Sequence, residues 1–99
     1  MHIHNVYFWL NDCSNEDKKK FEDGLNELIK IDCIVKAYWG QPAGVEREVV
    51  DSSYDYSLTV IFENRADHDA YQVHPDHDVF IAAHKDLWKT VKVLDSKTK

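Results

Sequence analysis

The sequence predicts an α+β fold in which helices cover one face of a four-stranded antiparallel sheet. Three observations lead there. Residues 1–10 and 54–63 alternate with the period of two that belongs to strands. Residues 14–31 and 65–88 repeat apolar positions at helical spacing. The elements also follow one another in the order strand, helix, strand, strand, helix pair, strand.

In the opening segment, "MHIHNVYFWL", one side carries His4, Val6, Phe8 and Leu10, and the other Ile3, Asn5, Tyr7 and Trp9. Large apolar groups on both sides predict a strand that is covered twice. A helix follows over about 14–31. Ser14 caps it with Asp17 three residues on, and Phe21, Leu25, Leu28 and Ile29 form its apolar stripe. Gly24 weakens that helix by about 1 kcal/mol relative to Ala, in exchange for close approach of another element or for space beside it.

"CIVKAYWG" returns to strand composition and is broken at Gly40-Gln41-Pro42-Ala43-Gly44. Val45–Ser53 reads as loop or edge strand. "YDYSLTVIFE" is a strand with Tyr56, Leu58, Val60 and Phe62 on one side. Asn64 caps a second helical region, in which Ala66, Ala70 and Val73 recur. The pattern restarts after "HPDH", with Pro75 suited to a first helical turn. From there His77, Phe80, Ile81, His84, Leu87 and Trp88 share a face. "KTVKVLD" makes the last strand.

This order is that of the ferredoxin-like βαββαβ arrangement, a single domain over residues 1–99. Its sheet would keep one bare face. Because the strands are apolar on both sides, the expected solution is a homodimer in which two protomers pack sheet on sheet into an α+β barrel.

Composition narrows the partners. A formal net charge of −6 argues against nucleic acid or an anionic membrane. Lys18-Lys19-Lys20 is flanked by acids and reads as a solvated helix face. Cys13 and Cys33 have no metal-type or CxxC spacing, and no leader-like or membrane-spanning stretch is visible, so a reducing cytoplasm is expected. Without a phosphate loop or dinucleotide fingerprint, no cofactor is expected.

Six histidines need individual readings. His2 is expected to be incidental, and His68, between Asp67 and Asp69, to face solvent. His4 and His84 point inward by pattern, and His77 shares the apolar face of His84. Burying imidazoles among Phe, Ile, Leu and Trp costs energy unless their nitrogens find partners, which favours a lined pocket. His74 and His77, with Asp76 and Asp78 alongside, suggest a metal. But Pro75 places His74 at a helix boundary, so helical i,i+3 geometry is not assured and no metal is expected. No serine or cysteine sits in an activating context, which leaves general acid–base chemistry by an imidazole beside a tyrosine.

"HNVYFWL", "AYWG" and above all "AYQVHPDHDVF" resemble the stress-responsive A/B-barrel family over nearly the whole chain. The resemblance implies a dimeric α+β barrel. It also implies, from a plant polyketide cyclase branch that uses the Tyr-x-x-His-Pro-x-His segment, that His77 is a general base and Tyr71 its companion in an aldol-type cyclisation. His4 matches a pocket-side histidine of that branch. Tyr56 stands where cyclase-like sequences have His, and Gly24 where they have Tyr, so the substrate does not carry over. The expected pocket holds His4, Tyr56, Tyr71, His74, His77, Phe80 and His84 and takes a small carbonyl or aromatic ligand, with lyase-, cyclase- or isomerase-type chemistry. A second reading stays open: a non-catalytic, stress-related dimer with a filled core, in which the His-Pro-Asp-His segment only starts a helix.

Overall fold

The computed structural model describes residues 1–99. Its elements are β1 (His2–Leu10), α1 (Asn15–Leu28), β2 (Lys36–Gly40), β3 (Tyr56–Phe62), α2 (Arg65–Gln72), α3 (Pro75–His84) and β4 (Trp88–Lys97). The strands form one sheet in the order β2-β3-β1-β4, antiparallel throughout, which is the ferredoxin-like arrangement.

β1 runs down the middle, and its alternation decides which sheet face is the core. His4, Val6, Phe8 and Leu10 are buried, as are Tyr56, Leu58, Val60 and Phe62 of β3. Paired positions such as His4 and Val60, or Phe8 and Tyr56, project to the same side, and the helices cover that side. On the opposite face Ile3 pairs with Ile61 and Asn5 with Thr59, whose hydroxyl donates to the Asn5 amide oxygen at 2.8 Å. These residues are half-buried.

α1 starts as its sequence dictates, with the Ser14 hydroxyl accepting from the Asp17 N–H at 3.1 Å. It ends at Leu28 rather than near residue 31, because Lys30 and Ile31 bond three residues back and tighten the last turn. Phe21, Leu25 and Leu28 are buried against the sheet. Residues 45–53 form no strand. The connection instead folds back on β1: Asp55 donates its N–H to the Phe8 carbonyl, and its carboxylate accepts from the Leu10 N–H at 2.7 Å. β4 is longer than expected, running to Lys97.

α2 departs from the expected pattern. Ala66, Ala70 and Val73 are exposed, and the buried residues are His68 and Tyr71. Small alanines gain little by burial, whereas the Tyr71 ring does. Turning Tyr71 inward brings its i−3 neighbour His68 with it.

Gly24 serves a close approach. A Cβ built there would lie 2.3 Å from Nε2 and 2.9 Å from Cδ2 of His84. The His84 ring is flanked by Phe21 and Phe80, with centroids 5.5 and 5.0 Å away, so giving way to a Cβ at Gly24 means breaking that packing. Gly24→Ala should therefore lower the melting temperature despite a helix-propensity gain of about 1 kcal/mol. In a His84→Ala background the same change should raise it. Melts of both single variants and the double check this, and additive effects would refute the steric account.

Candidate functional site

The break between α2 and α3 builds the site. Residue 74 leaves helical geometry (φ −66°, ψ 138°), and its ring Nδ1 accepts the Asp76 N–H at 3.0 Å. An imidazole thus performs the capping usually left to Asn, Asp or Ser, and Pro75 follows in the first turn, where no N–H is needed. Tyr71 lies in the last turn of α2 and His77 in the first turn of α3. Their rings meet edge to face across the break, with centroids 4.8 Å apart.

Both border a cavity of about 160 Å³ between the sheet and α3. His4, Val6 and Leu58 line its sheet side, Tyr71, His77 and Phe80 its helix side, and the partly exposed Val91 and Val93 of β4 add to the wall. Tyr71 is 1% exposed. No protein group hydrogen-bonds its hydroxyl or the His77 ring. Burial pushes the Tyr71 hydroxyl far above the usual tyrosine value, so it stays a donor. Burial pulls His77 below the usual 6.5; Asp78 opposes this, and His4 and His74 reinforce it. His77 is therefore a neutral imidazole near pH 7, with a lone pair available as a base.

Three residues expected around one pocket lie elsewhere. His74 is engaged in the cap. Tyr56 sits at the start of β3 beside α1, where its hydroxyl donates to Glu22 Oε2 at 2.6 Å and its ring packs on Phe21. Burial, then that hydrogen bond, push its pKa up. His84 lines a separate space of about 310 Å³ between α1 and α3, with Gly24, Glu27, Val79 and Ala83. Burial pulls its pKa down. Alternation and helical spacing place these side chains on the inner face but do not fix how far along the sheet they lie.

His68 corrects another expectation. It is buried, stacked on Phe62 with centroids 5.0 Å apart, and its Nδ1 lies 2.8 Å from His2 Nε2. His2 is therefore not incidental. The inward alternation that places His4 also places His2, and the i−3 relation to Tyr71 places His68; both signals are present in the sequence. Burial, reinforced chiefly by His4, pulls the His68 pKa down. Beside it, His4 Nδ1 pairs with Asp95 Oδ1 at 2.6 Å. Cys13 and Cys33 are free and partly buried, and burial pushes the Cys33 thiol up.

A split helix pair over an antiparallel sheet, with a His- and Tyr-lined cavity between them, defines a ferredoxin-like α+β barrel protomer. The family description "Stress responsive A/B Barrel Domain" matches residues 3–98, and the chain belongs to that family. A stress-response A/B barrel domain-containing protein of Arabidopsis thaliana is 26% identical over 96 residues, covering 93% of this chain and 44% of that protein. The chain thus spans less than half the length of this relative. A dimeric ferredoxin-like protein of unknown function from Thermobifida fusca superposes with a TM-score of 0.82 at 19% identity, covering 98% of this chain and 90% of that one. A hydroxynitrile lyase from Passiflora edulis superposes at 0.83 and 16% identity, covering 99% and 93%. These likenesses show the shared fold. No helix is long and apolar enough to cross a membrane.

The three depressed imidazoles set a pH dependence. In the folded chain His68, His77 and His84 favour the neutral form, while unfolded histidines titrate near 6.5. Below that value the unfolded state binds more protons, so stability falls as pH drops through 6.5 toward the lower folded values. Melting temperature should decline from about pH 7.5 to about pH 5.5, with a smaller slope in His84→Gln. A flat profile over that interval would contradict neutral burial of these rings.

Proposed function

We propose that this domain binds a small carbonyl-containing or aromatic molecule in the cavity beside His77 and acts on it by proton abstraction. The observation that carries the reading is the division of labour within the His-Pro-Asp-His segment. His74 caps the helix, so His77 is released from that task, and it lines the cavity together with Tyr71. His77 would take a proton from carbon next to a carbonyl, and Tyr71 would donate a hydrogen bond to the enolate oxygen that forms. Chemistry that makes or breaks a bond beside a carbonyl is consistent with this pair, and a structurally similar protein is a hydroxynitrile lyase.

Size limits the ligand. A cavity of about 160 Å³ is below the ~300–1,000 Å³ of drug-sized sites but close to the ~150 Å³ that holds a benzene. A ligand of one ring or a short chain suits it, and an extended polyketide does not. The same small volume favours the second reading, a non-catalytic stress-related dimer whose packed core is its main asset.

The protomer is proposed to act as a homodimer in the cytoplasm, without cofactor, nucleic acid or membrane as partner. The sheet face opposite the helices carries Ile3, Tyr7, Ile61 and the more exposed Tyr38 and Leu94, an apolar surface suited to a second copy. The dimeric relative from Thermobifida fusca supports it. Ile61→Glu should give a folded monomer by light scattering and circular dichroism; a dimer unchanged by this charge would exclude that face.

Catalysis is tested by following α-proton exchange of small aldehydes and ketones in D₂O by NMR. The wild type should accelerate exchange. His77→Ala should lose about 10²–10⁴-fold and Tyr71→Phe about 10²–10³-fold, with the fold retained. Because the His77 pKa is lowered, the rate should rise with pH to a plateau with its midpoint below 6.5. Tyr71, pushed above its ordinary 10, should impose no fall before that pH. Unchanged exchange in His77→Ala, or none in the wild type, would remove the catalytic reading and leave the structural one.

A further inference from the structure

The geometry points to a divalent transition-metal site, of the zinc-binding class, formed by His2, His68 and Asp95 at the edge of the sheet. It is separate from the His77 cavity and does not rest on the function proposed for it. Each of the three residues offers one ligand atom, and these atoms lie within 4.8 Å of one another. In a tetrahedral zinc site, bonds of about 2.0–2.1 Å place ligand atoms roughly 3.3–3.5 Å apart. Closing the triangle therefore requires side-chain rotation of about an ångström. The members that would move are the more accessible ones: His2 opens β1 and is half-buried, and the Asp95 side chain on edge strand β4 is 40% exposed. His68 is the fixed point, held by its stack on Phe62.

The chain brings the three together for local reasons. His2 and His4 alternate onto the inner face of β1. Asp95 pairs with His4 across the antiparallel ladder and so projects to the same side. His68 enters from α2, its ring centroid 4.7 Å from that of His2 and 4.4 Å from that of His4. Two imidazoles packed on a third are an expensive way to fill a core edge, where one leucine would exclude water without needing partners. They are a usual way to hold a borderline metal, for which two imidazoles and a carboxylate are a common donor set.

Supporting groups stand behind the ligands. His4 Nδ1 holds one Asp95 oxygen at 2.6 Å, which leaves the other oxygen available. Gln72 Nε2 lies 3.2 Å from His68 Nε2. With the amide turned so that its carbonyl accepts from Nε2–H, the His68 tautomer is fixed and the Nδ1 lone pair faces His2. A solvent-reaching space of about 380 Å³, bordered by Arg65 and Asp69, leaves room for a water as fourth ligand. Bound there, an ion would tie together the start of β1, α2 and the end of β4.

The test titrates untagged, chelator-stripped protein with ZnCl₂, and with MgCl₂ as the hard-cation control, by calorimetry and thermal melting. One zinc per chain should bind in the micromolar range and raise the melting temperature by about 5 °C or more at saturating metal. Magnesium should do neither. His68 is part of the core and its replacement risks the fold, so the decisive variants are the more accessible His2→Gln and Asp95→Asn. Each should weaken zinc at least tenfold, while His74→Gln, at the other histidine–aspartate neighbourhood, leaves affinity unchanged. Zinc that binds equally well to His2→Gln and Asp95→Asn would place the metal elsewhere and overturn the site. So would the absence of binding in the wild type.

Discussion

The Phe21 ring is the contact on which the arrangement of layers depends. It is fully buried, and five aromatic rings from four elements surround it: Phe8 of β1 at 5.1 Å, Tyr56 of β3 at 5.2 Å, His84 and Phe80 of α3 at 5.5 and 5.7 Å, and Trp88 of β4 at 6.2 Å between centroids. One side chain of α1 therefore fixes that helix against the sheet and fixes α3 against both. Edge-to-face pairs of this kind contribute about 0.5–1.5 kcal/mol each beyond the area they bury. Gly24, one turn further along α1, lets the His84 ring lie against the backbone, so the two helices settle at the spacing that Phe21 sets.

The position of His77 follows from that anchor. It lies two turns before His84 on the same face of α3, and the end of α3 is held by Phe80 and His84 against Phe21. The other partner of the candidate site, Tyr71, is held independently by Phe62, 5.3 Å away, on the far end of the sheet. Two separate packing centres thus meet at one cavity.

Much of this was legible in the chain. Period-two alternation identified the inner rows of β1 and β3, and helical spacing identified the inner face of α3 as far as His84; Leu87 and Trp88, read on the same helical face, lie beyond the helix, Leu87 in a turn and Trp88 at the start of β4. The failures have a common origin in α2. Its eight residues present only one large ring, so the stripe Ala66, Ala70 and Val73 looked as good as the true face, and His68 looked solvated between two aspartates. A short helix with one anchor takes its rotation from tertiary packing. Tyr56 fails differently: its face was right, but its distance along the sheet puts it beside Glu22. The roles within His-Pro-Asp-His were half legible: Pro75 marks His74 as a helix-boundary residue, but that its imidazole is the cap, leaving His77 to the cavity, follows only from the geometry at residue 74.

The same break has a bearing on how such a domain diversifies. Tyr71 lies in the last turn of one helix and His77 in the first turn of the next, and only Val73 and His74 lie between the two helices. The relative aim of hydroxyl and imidazole is therefore governed by a joint whose Val73 is 75% exposed and absent from the cavity wall. Changes at the joint re-aim the pair while every wall residue stays the same. Under the proposed function, the shape of the chamber and the angle of its two polar groups are set by different residues, and the second is set in part at the surface.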